Sequence, residues 1–166
     1  QTYNDFSFVQ SANIVSNDLW TGGNSGAASA DMGDKATIGL KVERATNEDV
    51  AQALGNNNLN SIIDTEDKGN FAIDLFFGNG IDNLLVWERG KNSKLDVQAI
   101  DRDGNTVGNL LALGSSKYWG DAGFKLNTKE IRGTQKVGSI GVSLADFGLT
   151  ESIYGVRVIS RGKAYN

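Results

Sequence analysis

Cysteine, histidine and proline are all absent from the 166 residues of this sequence. Without a thiol or an imidazole, the chain cannot form a cysteine nucleophile, a Ser-His-Asp triad or a zinc site of thiolate and imidazole ligands. Carboxylates, lysine, tyrosine and serine remain for catalysis, and only hard, oxygen-binding ions such as calcium suit these ligands. We therefore expect no catalytic residues and predict that the chain is not an enzyme.

Clustered positive charge and long apolar runs are also missing. The 16 Lys and Arg residues are dispersed among 20 Asp and Glu, which gives a net charge of −4. This charge argues against a nucleic-acid or anionic-membrane partner, and no apolar run approaches the length of a membrane span. The hydrophobic content of 39% is that of a globular protein, so residues 1–166 are expected to form a single domain with its own core.

The sequence is rich instead in glycine, asparagine and aspartate, which separate short apolar segments. The 21 glycines are scattered, and without proline the turns must be supplied by Gly, Asn and Asp. Alternating stretches such as NFAIDLFF at 70–77 and KLDVQAI at 94–100 predict strands with one buried face. About ten such strands and one or two short helices predict an all-β domain, a β-sandwich or jelly roll.

The N-terminal part combines a strand-like segment with a long loop. Phe6 and Phe8 alternate with polar residues, whereas residues 16–34 are rich in Gly, Ala, Ser and Asn. Such a loop has the reach to send the first strand to the open sheet edge of a neighbour, where main-chain hydrogen bonds would hold it. We predict that residues 1–15, anchored by Phe6, Phe8 and Val9, complete an adjacent subunit and build filaments. The alternative is a first strand that pairs within its own chain.

One short helix is expected after this region. Thr46 is a suitable N-cap, and Asp49 stands three residues later, where a capping box would place Glu or Gln. The helix is predicted over EDVAQAL, and Gly55 would end it.

The stretch AIDRDGNTVG at 99–108 raises the question of a calcium site. Asp101, Asp103 and Asn105 alternate as in a calcium loop, but an EF-hand needs Gly at the sixth position and Glu at the twelfth. Counting from Asp101, these positions are Thr106 and Ala112. The Asp-Gly pair between two alternating strands instead predicts a hairpin turn in which both central residues adopt positive φ. A shallow calcium site on the three oxygen-bearing residues is the alternative.

The aromatic residues suggest a carbohydrate-binding surface. Tyr118 and Trp119 lie in GSSKYWGD, which is typical of a loop, and Trp20 is the only large side chain of its own loop. These three are the candidates for exposed ligand contacts. Trp87, by contrast, is predicted to be buried with Leu85, because NLLVWER is apolar on both faces and is typical of a central strand.

A pair of carboxylates is the one catalytic arrangement that the composition permits, since glycosidases need no histidine. Glu43, Glu88 and Glu130 are the glutamates nearest to predicted strands, but Arg44 and Arg89 follow the first two. We interpret them as solvated surface residues.

Two stretches resemble a known family. DNLLVWERGKNSKLDVQAIDRDGN at 82–105 and TKEIRGTQKVGSIGVSLADFGLTESIYGVRV at 128–158 are similar to exosortase-dependent surface proteins of cyanobacteria, of the PEP-CTERM type. WERG at 87–90 and QKVGSIGVSLADFG at 135–148 carry most of the likeness. The resemblance implies a secreted, surface-attached β-sandwich without an established enzymatic activity. Members end in a Pro-Glu-Pro sorting signal, which KAYN lacks, so the tail is processed away, cut off or dispensable.

Two hypotheses of different classes follow. The first is a secreted structural protein of the cell surface or extracellular matrix that self-assembles. The second is a carbohydrate-binding module that recognises a surface polysaccharide through exposed aromatic side chains. A start at Gln1 in place of Met also agrees with removal of a signal peptide.

Overall fold

A computed structural model describes residues 6–18, 28–29, 45–59, 61–65, 69–114, 117–127 and 133–161. These residues form ten strands and one helix. The strands are β1 (Val9–Asn17), β2 (Ala28–Ser29), β3 (Asp64–Thr65), β4 (Asn70–Ile81), β5 (Asn83–Arg89), β6 (Lys94–Ile100), β7 (Thr106–Gly114), β8 (Gly120–Asn127), β9 (Thr134–Ser143) and β10 (Ile153–Arg161), and the helix is α1 (Asn47–Leu54). The predicted all-β, sandwich-like domain is confirmed. None of the described helical residues forms a segment long and apolar enough to cross a membrane.

Two antiparallel sheets make up the domain. The larger has the order β1-β4-β10-β6-β7, and the smaller has the order β5-β9-β8. β2 and β3 form a separate two-stranded pair. Because the central strands of the large sheet are distant in sequence, its order is a crossover arrangement that local hairpins alone would not produce.

The core lies between the two sheets. Alternate residues of the large sheet point inward, as the period of two requires, and register partners on adjacent strands share a face. Phe71, Ile73 and Leu75 of β4 are buried together with Leu84 of β5 and Val142 of β9. Residues from both sheets therefore belong to one hydrophobic cluster.

The N-terminal strand differs from its prediction. β1 begins at Val9, so Phe6 and Phe8 precede it, and it continues to Asn17, inside the segment 16–34 that was expected to be a loop. β1 pairs antiparallel with β4 of its own chain, which is the alternative arrangement. Exchange of residues 1–15 between copies stays a prediction.

The helix lies beside β1. The Thr46 side chain accepts a hydrogen bond from the Asp49 amide at 3.2 Å, and the Asp49 carboxylate accepts one from the Thr46 amide at 2.8 Å. The imperfect capping box predicted from the sequence is therefore formed with Asp in place of Glu. Gly55 follows the helix with a φ of −85°, which any residue can adopt. Its lack of a side chain matters for another reason, because a Cβ there would lie 2.8 Å from the Val9 carbonyl oxygen.

A buried ion pair fastens the loop between β6 and β7 to the large sheet. Asp74 of β4 is only 2% exposed, and its two carboxylate oxygens accept hydrogen bonds from Arg157 of β10 at 2.6 and 2.9 Å. Arg157 also donates to the carbonyl oxygen of Gly104 at 3.1 Å. The hydrogen bonds to Asp74 raise the pKa of Arg157 above its usual value, so the pair favours the charged guanidinium.

Candidate functional site

Trp87 and Leu85 are exposed, so the prediction that β5 is covered on both faces is wrong. Their relative exposures are 40% and 42%, whereas Leu84 of the same strand is buried. The physical reason is that the described part of the small sheet packs on the large sheet through one face only. Side chains that alternate with Leu84 therefore point to the opposite, outer face.

On this outer face two aromatic rings meet. Trp87 of β5 and Phe124 of β8 have ring centroids 6.0 Å apart and ring planes inclined at 44°. This distance is within the range of favourable edge-to-face and offset contacts. We call the surface formed by Leu85, Trp87 and Phe124 the aromatic shelf.

The register of the small sheet explains how the shelf is built. Trp87 is the partner of Ser139 on β9, and Ser139 is in turn the partner of Gly120 on β8. β8 has an irregularity between Asp121 and Lys125. This bulge aims Phe124 at Trp87 across the intervening strand, as bulges redirect side chains elsewhere.

Glycines keep the shelf flat. Leu85 is the register partner of Gly141, and a Cβ placed on Gly141 would have nothing within 4 Å. Gly120 lies in the same cross-strand row as Trp87, through Ser139. Gly120 and Gly141 are thus two positions next to the shelf that carry no side chain. The rings and the exposed leucine therefore stand beside bare backbone.

The shelf is also poor in charge. Strand alternation puts one charged residue of the described strands, Arg89, on the outer face, next to Val137 in register. Arg89 is largely buried and its Nη2 donates to Asp64 Oδ1 at 2.6 Å. The charged residues Asp121, Lys125 and Lys136 project to the other side, as their positions in the register show.

The sequence placed the candidate ligand contacts elsewhere. Trp119 was expected to be exposed and is only 3% exposed, so that expectation is wrong. Its indole Nε1 donates to the Ser93 carbonyl oxygen at 2.9 Å. Gly138 leaves the necessary space, because a Cβ there would lie 2.6 Å from the Trp119 Cβ. Tyr118 is exposed, at 50%, and Trp20 lies outside the described residues.

The loop after β6 is a hairpin turn, as predicted, although its type differs. The Gly104 amide donates to the Asp101 carbonyl, and Gly104 alone in the turn has a positive φ, of 83°. This is the pattern of a three-residue hairpin with glycine in the left-handed position. Asp101 Oδ1 accepts from the amides of Asp103 and Asn105, both at 2.9 Å. The Asn105 side chain donates to Asp101 Oδ2, and these bonds lower the pKa of Asp101.

The hydrogen bonds of this turn bear on whether its oxygen atoms are available to bind calcium. Asp101, the central carboxylate of the proposed ligand set, already uses both oxygens to order the turn. Across the described ranges, no three acidic side chains cluster in a way that would hold a metal ion. A calcium site on Asp101, Asp103 and Asn105 remains an untested alternative.

Of the three glutamates considered as carboxylate candidates, the described part of the chain includes Glu88 alone. Glu88 and Asp121 are both register partners of Gly138, on the two flanking strands. Trp119 packs against Gly138 as well. Glu88 is half-buried, and its Oε2 accepts no hydrogen bond from the described part of the chain. Glu43 and Glu130 lie outside that part.

The predicted assembly residues line an open groove. Phe6 and Phe8 are 60% and 41% exposed, and Val9 is half-buried. With Gly55 at the end of α1 and Gly78 of β4 they border a groove of about 670 Å³.

Comparison with known proteins identifies no relative: no protein-family model, curated protein or solved structure matches the chain.

Proposed function

We propose that this chain is a non-enzymatic extracellular domain that binds a neutral polysaccharide through the aromatic shelf. The observation that carries the proposal is the exposure of Trp87 beside Phe124 on the outer face of the small sheet. Contiguous exposed apolar patches on a domain surface mark ligand or partner sites, whereas single exposed apolar residues do not. The aliphatic face of a pyranose ring is flat and apolar, so it complements an aromatic ring lying next to bare backbone.

The surroundings of the shelf favour an uncharged sugar. Arg89 is engaged with Asp64, and the other charged residues of the small sheet project away from this face. The chain also carries a net charge of −4, which opposes binding of an anionic polymer. Ser139, the register partner of Trp87, supplies a hydroxyl beside the ring. A neutral polymer with apolar ring faces and equatorial hydroxyls fits this combination.

The resemblance to exported surface proteins supports an extracellular location for this domain. A secreted, surface-attached domain would meet polysaccharide of the cell surface or matrix, and the absence of cysteine means that its stability does not depend on disulfides. The structural role in the matrix that the sequence predicts is compatible with polysaccharide binding, because a matrix protein is held in place by the polymer that it binds.

The test is binding to a panel of polysaccharides with the full chain and matched variants. Insoluble cellulose and chitin, soluble xylan and anionic alginate would be compared by pull-down and affinity electrophoresis. If the bound sugar covers about 60 Å² of the Trp87 ring, removing the ring costs about 1.5 kcal/mol, which is about a tenfold loss of affinity. Trp87→Ala and Phe124→Ala are expected to weaken binding to a neutral polymer to that extent.

Two controls separate the shelf from exposed aromatics in general. Phe6→Ala removes a ring that is more exposed than Trp87 and lies next to the large sheet, and it should leave binding unchanged. Tyr118→Ala tests the contact that the sequence suggested. Unchanged binding by Trp87→Ala, or preference for alginate over every neutral polymer, would contradict the proposal.

Self-assembly by strand exchange is a second candidate, favoured by the exposure of Phe6 and Phe8 directly before an edge strand. In an exchanged form, residues 1–15 of one copy would occupy the same position between β4 and α1 of the next. Deleting residues 1–15 should then abolish filaments seen by negative-stain microscopy, and a peptide of that sequence should restore stability. A full-length chain that forms no filaments would contradict this role.

A further inference from the structure

The backbone beside the aromatic shelf is bare, but the two rings of the shelf are not parallel. The ring planes of Trp87 and Phe124 are inclined at 44°, with the centroids 6.0 Å apart. Trp87 is 40% exposed and Phe124 is half-buried. Two planes inclined to this degree cannot both lie against one flat surface. A planar ligand surface therefore stacks on the face of one ring alone.

The two rings meet over the middle strand of the small sheet. β5 and β8 lie on either side of β9. Neighbouring strands are about 4.8 Å apart, so the backbones that carry the rings are separated by about 9.6 Å. The ring centroids are closer than this, at 6.0 Å, because the side chains lean toward each other. The line that joins the rings thus crosses the strands.

Ser139 and Leu85 occupy the positions around this line. Ser139 of β9 is the register partner of both Trp87 and Gly120, so it lies on the outer face between the two strands that carry the rings. Leu85 is two residues from Trp87 on β5, beside Gly141, and is therefore to one side of the line. A ligand that follows the line meets an aromatic face, a hydroxyl group and a second aromatic face in turn.

Neutral polysaccharides differ in how successive sugar rings are oriented. In the β-1,4-linked chains of crystalline cellulose and chitin, the rings form flat ribbons that stack into planar faces. In β-1,3-linked and α-1,4-linked glucans, each ring is inclined to the next, so the chain coils. The inclined faces of Trp87 and Phe124 match successive rings of a coiled chain, whereas a crystalline face matches one of them.

Given a polysaccharide-binding shelf as proposed above, we infer that it selects single coiled chains of a neutral glycan over the flat faces of crystalline polymers. Adjacent sugar rings of the chain stack on Trp87 and Phe124. The chain crosses the strands from β5 to β8, and the Ser139 hydroxyl faces the linkage between the two sugars. Leu85 contacts the flank of the chain.

The second ring sets the size of this preference. If a sugar covers about 60 Å² of the Phe124 ring, the contact increases the affinity about tenfold. A crystalline face lacks this contact, because it lies on the more exposed ring of Trp87. We therefore expect a soluble coiled chain to bind about tenfold more tightly than a crystalline polymer of the same sugar.

Three neutral glucans test the preference: microcrystalline cellulose, acid-swollen amorphous cellulose and soluble β-1,3-glucan. The two celluloses have the same chemistry and differ in order, since the chains of the swollen form are free to twist. Dissociation constants of the full chain would be measured by adsorption isotherms for the celluloses and by calorimetry for the soluble glucan. Amorphous cellulose and β-1,3-glucan should each bind about tenfold more tightly than microcrystalline cellulose.

Phe124→Ala is the decisive variant. It should weaken binding to β-1,3-glucan about tenfold and leave adsorption to microcrystalline cellulose unchanged, because the crystalline face lies on Trp87. Trp87→Ala should weaken binding to both polymers. Lys125→Ala is the matched control on the same strand as Phe124, and it should change neither, because its side chain projects to the other side of the sheet. Circular dichroism checks that each variant keeps the fold.

Two kinds of contrary result are distinguishable. Binding to microcrystalline cellulose that is as tight as binding to β-1,3-glucan would overturn the preference for coiled chains and leave the shelf as a polysaccharide site. An equal loss on both polymers in Phe124→Ala would do the same. Absence of binding to all three glucans, and to the chitin and xylan of the wider panel, would contradict the proposed function and the preference with it.

Discussion

The buried ion pair between Asp74 and Arg157 provides a quantitative test of how the fold is held together. Arg157→Met removes two charge-assisted hydrogen bonds from a carboxylate that is 2% exposed, and also the bond to the Gly104 carbonyl. Leaving one partner of a buried pair uncompensated costs about 3–5 kcal/mol. Because the Arg157 side chain is 23% exposed, water can reach the vacated space, and we expect about 3 kcal/mol.

Chemical denaturation measures this cost, and thermal melting provides a second readout. For a chain of this size, about 3 kcal/mol corresponds to a Tm lower by about 6–12 °C. A double-mutant cycle with Asp74→Asn should give a coupling energy of about 2 kcal/mol, since each single change already removes the interaction. Lys91→Met is the control: its ion pair is 3.8 Å long and its partner Asp121 is 51% exposed, and pairs that water screens in this way contribute about 0–1 kcal/mol.

The result that would refute this reasoning is specific. If the free energy of unfolding of Arg157→Met is within about 1 kcal/mol of that of the unmodified chain, then Arg157 is not what compensates the buried Asp74 carboxylate. The hairpin between β6 and β7 would in that case be held by the turn itself and not by its tether to the large sheet.

Four further outcomes are expected. Calcium or a chelator should leave the Tm nearly unchanged, because both oxygens of Asp101 are engaged in the turn; a rise of several degrees with calcium would establish binding. The pKa of Asp101 is lower in the folded chain than the unfolded value near 3.8, so its charged form stabilises the fold above pH 3.8 and this stability is lost as the pH falls further. In Asp101→Ala the free energy of unfolding should therefore decrease less steeply below pH 3.8. Gly55→Ala should destabilise by about 1–3 kcal/mol in urea, because its Cβ would lie 2.8 Å from a β1 carbonyl oxygen. Trp119→Phe should cost about 1–3 kcal/mol by the same assay through the unsatisfied Ser93 carbonyl.

Local sequence patterns determined the class of fold and several of its elements. Alternation in β4 and β6 identified strands, because the period of two is a property of the strand itself. The capping box of α1 and the hairpin at Asp101 were also predictable, since their hydrogen bonds join residues at most four positions apart. The sequence also limited the available chemistry, because a chain without thiol or imidazole excludes whole classes of site.

The tertiary structure alone decided which apolar residues face water. NLLVWER is apolar on both faces, and whether Trp87 is buried depends on what covers the outer face of the small sheet. Trp119, in a segment typical of a loop, is buried because Gly138, distant in sequence, leaves space for it. The shelf itself depends on the register of three strands and on one bulge. Each of these facts is a contact between segments far apart along the chain, and a pattern read from neighbouring residues contains no information about such contacts.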